Sequence, residues 1–590
     1  MNQALRHRAS QLGVETGYLD VDGRYHDTPE PTLRRVVEVL EDDRSNGDER
    51  DPIVVVGGPT AADGQLAVGA VPWAEVVLAD GTTIRLPAHH GRVTVSPDLP
   101  TGCHELRVSD RTTTLVVAPP AMPRADHLTG RAGLFAPAYA LWTREAPLPS
   151  FAHLADLASR LPGLGLDVLA TLPLYAGFLD DPFDPSPYAP LSRLHWNEVY
   201  LDDAALPVAE RPVVGELVDW RVLARRRRRQ LLDAVRQLDP AAEAALDEYV
   251  RTHPDVADYA RFRVARRDPV DAEAPSALVE RSHVLAQQLA AEQLGRIEGP
   301  GRTALALDLP IGSHLAGFET WAHGELFASG MSVGAPPDAL FAGGQDWGFP
   351  PQLPGAGRRS GHLLWRRLVE RAGEHASVLR IDHVLGVQRL WWIPEGAAPT
   401  AGTYVRYRRD EILAVIAAAA GATATTIVGE DLGTVPEGFR QAFAEWDALG
   451  LYEEQLHLGE DQLRPIPARS VAGARTHDMA PFAAAIAALA AAEPATVEQY
   501  RCLLAAALGR AVAADPAALF DALLERLAHS SAYLVLADVD DLRGGVDPHN
   551  VPGRVLPTSW RRRWPVPISD MLCGDVRRRA RLLVRRSARS

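Results

Sequence analysis

Ser377-Val-Leu-Arg380-Ile-Asp382-His383 is a short apolar run that ends on a carboxylate, and two further segments repeat the pattern. They are Thr426-Ile-Val-Gly-Glu430-Asp431-Leu-Gly-Thr434 and Ala474-Arg475-Thr476-His477-Asp478. Each reads as a buried strand delivering an acid to a surface opening, which is how parallel barrels build sites at the C-terminal ends of their strands. Apolar strand candidates also occur at residues 134–139, 167–174, 304–308, 425–429 and 533–537, with weaker ones near 453–457 and 471–476. Helical patterns lie between them. Apolar strands alternating with helices predict a parallel sheet, and their number suits an α/β fold of the (β/α)8 TIM-barrel kind. A doubly wound sheet is the alternative, but no Gly-x-Gly-x-x-Gly follows the early strands.

Outward from the barrel, the chain changes character twice. Residues 1–50 read as an N-terminal helical segment, with apolar spacing of three and four in Pro31-Thr-Leu-Arg-Arg-Val-Val-Glu-Val-Leu40. Residues 51–120 hold short β-rich runs divided by Gly and Pro turns, the pattern of a small β-sandwich-like domain. Residues 121–590 then carry the barrel, with a helical insertion at about 215–300. The Arg225 to Arg229 run inside that insertion reads as a solvated helix face.

Composition narrows the function classes. The 590 residues carry a formal net charge of -15, which argues against nucleic acid, whose phosphates need a dense basic surface. No apolar run reaches the roughly 20 residues of a membrane span, and no secretory signal follows Met1, so a cytoplasmic location is the expectation. Three separated cysteines, Cys103, Cys502 and Cys573, fit neither a disulfide framework nor a zinc site. All 61 basic residues are Arg, which excludes lysine Schiff-base chemistry and a phosphate loop that uses Lys. No cofactor is expected, and the oligomeric state is not readable.

The acids suggest their own chemistry. Strand alternation puts Arg380 and Asp382 on one face, and a guanidinium favours the ionised form that a carboxylate nucleophile needs. Glu430 follows Gly429, where a close approach is expected, and neighbouring carboxylates would raise its pKa into the range of a general acid. Asp431 should face the other way and cap the next helix. His477 and Asp478 are suited to hydrogen-bonding vicinal sugar hydroxyls. A metal reading of that pair lacks a ligand cluster with metal spacing. The stretch from Ser332 to Pro354 has Pro and Gly enough to predict a rigid loop. In it Trp347 offers an apolar ring face beside the polar groups of Gln345 and Asp338. Each motif alone has a structural explanation too.

Taken in order, these motifs resemble the 4-α-glucanotransferases, the amylomaltase or disproportionating-enzyme family, family 77 of the glycoside hydrolases. The resemblance rests on Gly334-Ala-Pro-Pro-Asp338, Gly344-Gln-Asp-Trp-Gly348, Arg380-Ile-Asp382-His383, Val428-Gly-Glu-Asp-Leu-Gly-Thr434 and Thr476-His-Asp478. Ser186-Pro-Tyr188, Trp391-Trp392-Ile-Pro394, Gly402-Thr-Tyr-Val-Arg-Tyr407 and Asn550-Val-Pro-Gly553 add to it, so that it covers about residues 133–560. It implies that Asp382 is the nucleophile, Glu430 the acid/base and Asp478 the third, stabilising carboxylate. Arg380 and His477 match supporting residues, and Ser186, Tyr188, Asp338, Gln345 and Trp347 are expected to bind substrate. The implied substrates are maltooligosaccharides or glucans, in glycogen and maltodextrin metabolism. Departures occur at Pro147-Leu-Pro-Ser-Phe151, at 451–457, at Met479-Ala-Pro-Phe482 and after Asp308, and bear on outer subsites and acceptor preference. An α-glucan hydrolase, a transferase for a modified oligosaccharide and a non-catalytic glucan-binding protein are the other readings.

Overall fold

The structure, a computed structural model, describes residues 3–20, 23–45, 52–59, 64–179, 182–209, 214–266, 274–298, 303–337 and 341–584. Eight strands build the barrel sheet: β1 (Arg131–Phe135), β2 (Val168–Ala170), β3 (Ala304–Leu309), β4 (Val378–Ile381), β5 (Thr426–Gly429), β6 (Gly450–Glu453), β7 (Ser470–Gly473) and β8 (Leu534–Asp538). Their order is β5-β4-β3-β2-β1-β8-β7-β6. A parallel bridge from Val428 to Leu449, beside β6, nearly closes the sheet. The expected (β/α)8 barrel is therefore the fold.

The strands are short because only their buried middles pair. Every residue of β3, β5 and β7 is buried, as both faces of a barrel strand are covered, inside by side chains and outside by helices. At about 1.5–3 kcal/mol for each fully buried large aliphatic side chain, such strands hold together by burial, not by β-propensity alone. The weak candidate at 453–457 ends earlier than expected: β6 stops at Glu453, and residues Glu454–His457 form a 3-10 turn.

By internal packing the chain divides into two units. One comprises Met1–Ala125, Ile311–Glu374 and Leu379–Leu449; the other comprises Asp126–Pro310, His375–Val378 and Gly450–Ser590.

In the first unit, strands Ile53–Gly57, Arg111–Ala118, Gly102–Val108, Trp73–Val77 and Thr83–Pro87 form a five-stranded sheet. With the pair Gln65–Ala67 and Arg92–Thr94 it encloses one apolar cluster that includes Val56, Val76, Val93, Leu106 and Leu115. Helix Arg409–Thr423 packs on this sheet and on helix Leu363–Gly373. Its uninterrupted run Ile412 to Ala420 is buried all round, which explains the absence of a polar face. The N-terminal helices Gln3–Gln11 and Glu30–Ser45 also pack within this unit. Ala9, Leu33, Val36 and Leu40 share a core with Met331, Trp392 and Val405.

Those last residues belong to an antiparallel four-stranded sheet made of Gln345–Phe349, Met331–Ala335, Arg389–Pro394 and Thr403–Arg406. The stretch from Ser332 to Pro354, expected to be a rigid loop, thus takes part in two paired antiparallel strands, Met331–Ala335 and Gln345–Phe349. Their register shifts between Val333 and Gly334. At Gly334 a Cβ would lie 1.9 Å from the Gln345 carbonyl oxygen, so glycine there serves the close pairing of two strands.

In the second unit the insertion is helical as expected, with helices Trp220–Arg236, Pro240–Thr252, Pro254–Arg266 and Ser276–Leu294. Asp219 and Asp239 cap the first two through their side chains. The five-arginine run is not a solvated face. Arg226, Arg227 and Arg228 are buried, Arg227 only 1% exposed. Arg226 and Arg227 share Asp203, at 2.6 and 2.8 Å, and Arg228 approaches Glu198 at 3.7 Å. Arg263 reaches the same Glu198 at 2.9 Å. These guanidiniums hold the Glu198 carboxyl down to about 2 although burial pushes the other way. Charge counting along the helix missed this, because the acids that neutralise the run come from residues 198 and 203, outside it.

Candidate active site

In the first unit, β4 and β5 deliver two carboxyls. Arg380 donates from Nη1 to Asp382 Oδ1 at 2.9 Å, the same-face pairing that strand alternation predicts. After Asp382 the chain turns sharply: His383 has φ 43°, in the left-handed region. That conformation costs a non-glycine residue about 1–2 kcal/mol. It also aims the His383 N–H at Glu430 Oε2, 2.9 Å away. The other carboxyl oxygen of Glu430 accepts the Leu432 N–H at 2.8 Å. The Glu430 backbone closes the junction, donating to Ile381 O and accepting from Val384 N, both at 3.0 Å.

Two backbone donors favour the carboxylate form of Glu430, as does Arg380. Desolvation and the charge of Asp382 act against them and win, and raise Glu430 to about 7. Desolvation lowers the His383 imidazole to about 4, helped by Arg389, so it stays neutral. Trp347 packs edge-on to that ring at 5.2 Å and donates to Gln345 Oε1 at 3.3 Å. Trp347 and Gln345 therefore lie beside the turn that follows Asp382. Asp338 lies outside the described residues.

Gly429 allows a close approach, but not of backbone or ligand. A Cβ there would stand 2.5 Å from Val384 Cγ1 and 2.7 Å from Phe443 Cζ. Gly429→Ala is expected to cost about 1–3 kcal/mol, as overpacking does. It should also displace Glu430; chemical denaturation and the activity of the folded fraction measure the two effects separately. Asp431 does not cap the next helix as expected. It accepts Arg440 Nε at 2.7 Å, and helix Phe439–Glu445 begins after Gly438 without a side-chain cap.

In the second unit, a turn after β7 carries His477 and Asp478. The Tyr188 ring stacks on His477, centroids 4.5 Å apart and planes at 12°. Its hydroxyl lies 3.2 Å from His477 Nδ1 and donates to Asp308 Oδ2 at 2.5 Å. Trp560 leans on both rings, at 5.8 and 5.9 Å. Ser186 works one step back: its hydroxyl accepts the Tyr188 N–H at 3.2 Å and shapes the turn that places Tyr188. Asp478 is exposed; Asn550 Nδ2 donates to its Oδ1 at 2.8 Å, and His477 Nε2 is 3.3 Å from its Oδ2.

Two of these residues lay in segments quoted above but were given no role. Asp308 stands near the end of β3, so the rule that found the other acids, an apolar strand ending on a carboxylate, applies to it equally. Asn550 lies in a loop with no periodicity to mark it.

Residues 136–568 match the family described as glycoside hydrolase 77, 4-alpha-glucanotransferase. The chain belongs to that family. The 4-alpha-glucanotransferase of Mycobacterium tuberculosis is 31% identical over 458 residues, 66% of this chain and 63% of the relative. The chain thus spans less than two thirds of the length of these curated relatives. The Haemophilus influenzae 4-alpha-glucanotransferase is 33% identical over 175 residues, 29% of this chain and 25% of its own. In fold, the chain is similar to the amylomaltase of Corynebacterium glutamicum, with TM-score 0.84, 22% identity and coverage of 98% of this chain and 99% of that one. It is also similar to a Streptococcus agalactiae amylomaltase in complex with acarbose, with TM-score 0.66, 19% identity, and 78% and 98% covered. For this member of family 77, no helix among the described residues is long and apolar enough to cross a membrane.

Proposed function

We infer that this chain is a retaining 4-alpha-glucanotransferase acting on maltooligosaccharides or glucans. The observation that carries the reading is the pair on β4 and β5: Asp382, matched to Arg380, and Glu430, raised to about 7 by burial and by Asp382 itself. One carboxyl is suited to attack and its neighbour to give a proton, the division of labour that glycosidic chemistry requires.

Glu430 gives its proton to the glycosidic oxygen while Asp382 Oδ attacks the anomeric carbon. The C–O bond to the leaving chain breaks and an ester to Asp382 forms. Glu430, now ionised, takes the proton of an acceptor 4-hydroxyl, whose oxygen displaces Asp382. Two inversions give net retention. Asp478 stabilises the charge that develops on the ring, and His477, Tyr188 and Arg380 hold the sugar and the acids. Trp347, Gln345, Asp338 and Ser186 are read as substrate-binding or as supports of binding groups. In the same reading the protein works in the cytoplasm, in glycogen and maltodextrin metabolism, without a cofactor. The helical segment, the β-sandwich-like domain and the barrel remain a proposed division of the chain.

Incubation of purified protein with maltotriose tests the activity. Glucose with a ladder of longer maltooligosaccharides is the expected result. Glucose and maltose alone mean a hydrolase, and no conversion means a binding protein or a different substrate.

The pH dependence follows from the same pair. Donor cleavage needs Glu430 protonated in the free enzyme, so kcat/KM should fall as pH rises through about 7. Arg380 pulls the Glu430 pKa down, so Arg380→Met should move this basic limb to higher pH. Initial rates of maltotriose disproportionation from pH 5 to 9 measure it; an unmoved limb would mean that another group supplies the proton.

A further inference from the structure

The turn that carries Asp478 is held by groups that take no part in the proposed reaction. They converge on one carboxylate, Asp538 at the end of β8. Arg475 is buried, and its Nη2 donates to Asp538 Oδ2 at 2.7 Å while Nε donates to Asp541 Oδ2 at 2.8 Å. Its remaining nitrogen, Nη1, donates to the carbonyls of Thr476 and Met479, at 3.1 and 3.3 Å. One guanidinium so grips both ends of a four-residue turn whose middle residues are His477 and Asp478.

The second route approaches Asp478 from the other side. His549, only 2% exposed, has Nε2 at 3.5 Å from Asp538 Oδ2 and 3.3 Å from Asp540 Oδ2. Its Nδ1 lies 3.3 Å from the Tyr139 hydroxyl, and its carbonyl accepts the Trp560 N–H at 3.0 Å. The next residue is Asn550, the donor to Asp478 Oδ1. Asp538 is itself immobilised, since its Oδ1 accepts the Asp540 N–H at 2.8 Å.

Guanidiniums already face the carboxylates of this cluster, and Asp547 shares one of them, lying 3.4 Å from Arg562. Three carboxylates, of Asp538, Asp540 and Asp541, face Arg475, Arg543 at 2.7 Å from Asp540 Oδ1, and Arg562 at 4.0 Å from Asp540 Oδ2. Although ligating atoms of Asp538, Asp540 and His549 lie within 4.8 Å of one another, a divalent cation there would compete with the guanidiniums of Arg475 and Arg543 that already pair with these carboxylates. A framework role fits the groups better than a metal role.

We propose that Asp538 is a positioning residue for Asp478, acting through Arg475 on one side and through His549 and Asn550 on the other. This rests on the reading of Asp478 as the carboxylate that stabilises the transition state. A carboxylate that must meet a distorted ring is sensitive to small displacements, whereas ground-state binding is spread over several sugar units. Loss of Asp538 therefore acts on kcat more than on KM.

The test is a double-mutant cycle of Asp538→Asn with Asp478→Asn, read as kcat and KM for maltotriose disproportionation, with folding checked by thermal melting. Asp538→Asn is expected to lower kcat about 10- to 100-fold with KM little changed. In the Asp478→Asn background the same substitution should lower kcat no more than about 3-fold, because both changes act through one carboxylate. A loss of full size in that background, or a single Asp538→Asn variant with unchanged kcat, overturns the proposal. If Asp538→Asn does not fold, Asn550→Ala, at the half-buried end of the second route, runs the same cycle with the same criteria. Asp478→Asn with unchanged kcat instead overturns the reading of Asp478 on which this rests. A slow Asp478→Asn enzyme with an additive cycle keeps that reading and removes the role of Asp538.

Discussion

Asp382→Ala is expected to lower kcat for maltotriose disproportionation by on the order of 10⁵-fold, the scale on which nucleophile removal acts. Arg380 then loses its 2.9 Å partner and Glu430 loses the neighbour that raises its pKa. Both halves of the chemistry fail at once: no ester forms, and the acid becomes easier to ionise at neutral pH. The fold should survive, since Asp382 is half-buried at a strand end and no packed side chain is lost. The stereochemistry of a rescued reaction makes the test specific. Azide entering the space vacated by the carboxylate attacks the face that Asp382 would have attacked, so a glycosyl azide of inverted configuration should appear. If the alanine variant still produced the maltooligosaccharide ladder, the nucleophile would lie elsewhere.

Glu430→Gln should lower the rate on maltotriose by about 10²–10⁴-fold, the usual worth of a positioned acid/base. Glutamine preserves the two backbone hydrogen-bond acceptor positions only in part, because its amide nitrogen faces either the His383 or the Leu432 N–H. Some loss of stability is thus expected beside the loss of chemistry. A donor whose leaving group needs no proton separates the two. With an α-maltotriosyl fluoride, the first step should proceed in the variant, and the ester on Asp382 should accumulate because its removal still needs a base. Intact-mass measurement then shows an added glycosyl unit, absent with Asp382→Ala. A variant that is equally slow with the fluoride and with maltotriose would point to misfolding or to a different acid.

The contrast between these acids and the rest of the site shows what kind of information a sequence carries. Asp382 and Glu430 are readable because each follows a short, mostly apolar strand, and a carboxylate there is conspicuous. Asp308 meets the same rule. Tyr188 came through the order of motifs, since a lone aromatic in a Pro-rich segment has no period to betray it. The strands Met331–Ala335 and Gln345–Phe349 read as a loop because their glycines weaken a strand signal; the partner strand Arg389–Pro394, far along the chain, makes them part of a sheet. The buried Arg226 to Arg228 misled for a related reason: solvation of a charge is decided by its neighbours in space, and residues 198 and 203 belong to another segment.

From the sequence by itself came the strand–helix alternation, hence the barrel, and the two acids that the strands β4 and β5 present. Both are local properties, set by hydrophobic period and by the direction in which successive side chains point. The pKa of Glu430, the left-handed turn at His383 and the network that joins Asp538 to Asp478 are different in kind. Each depends on distances between groups tens of residues apart, and electrostatic and hydrogen-bond energies vary steeply over a few ångströms. Only the tertiary structure sets those distances.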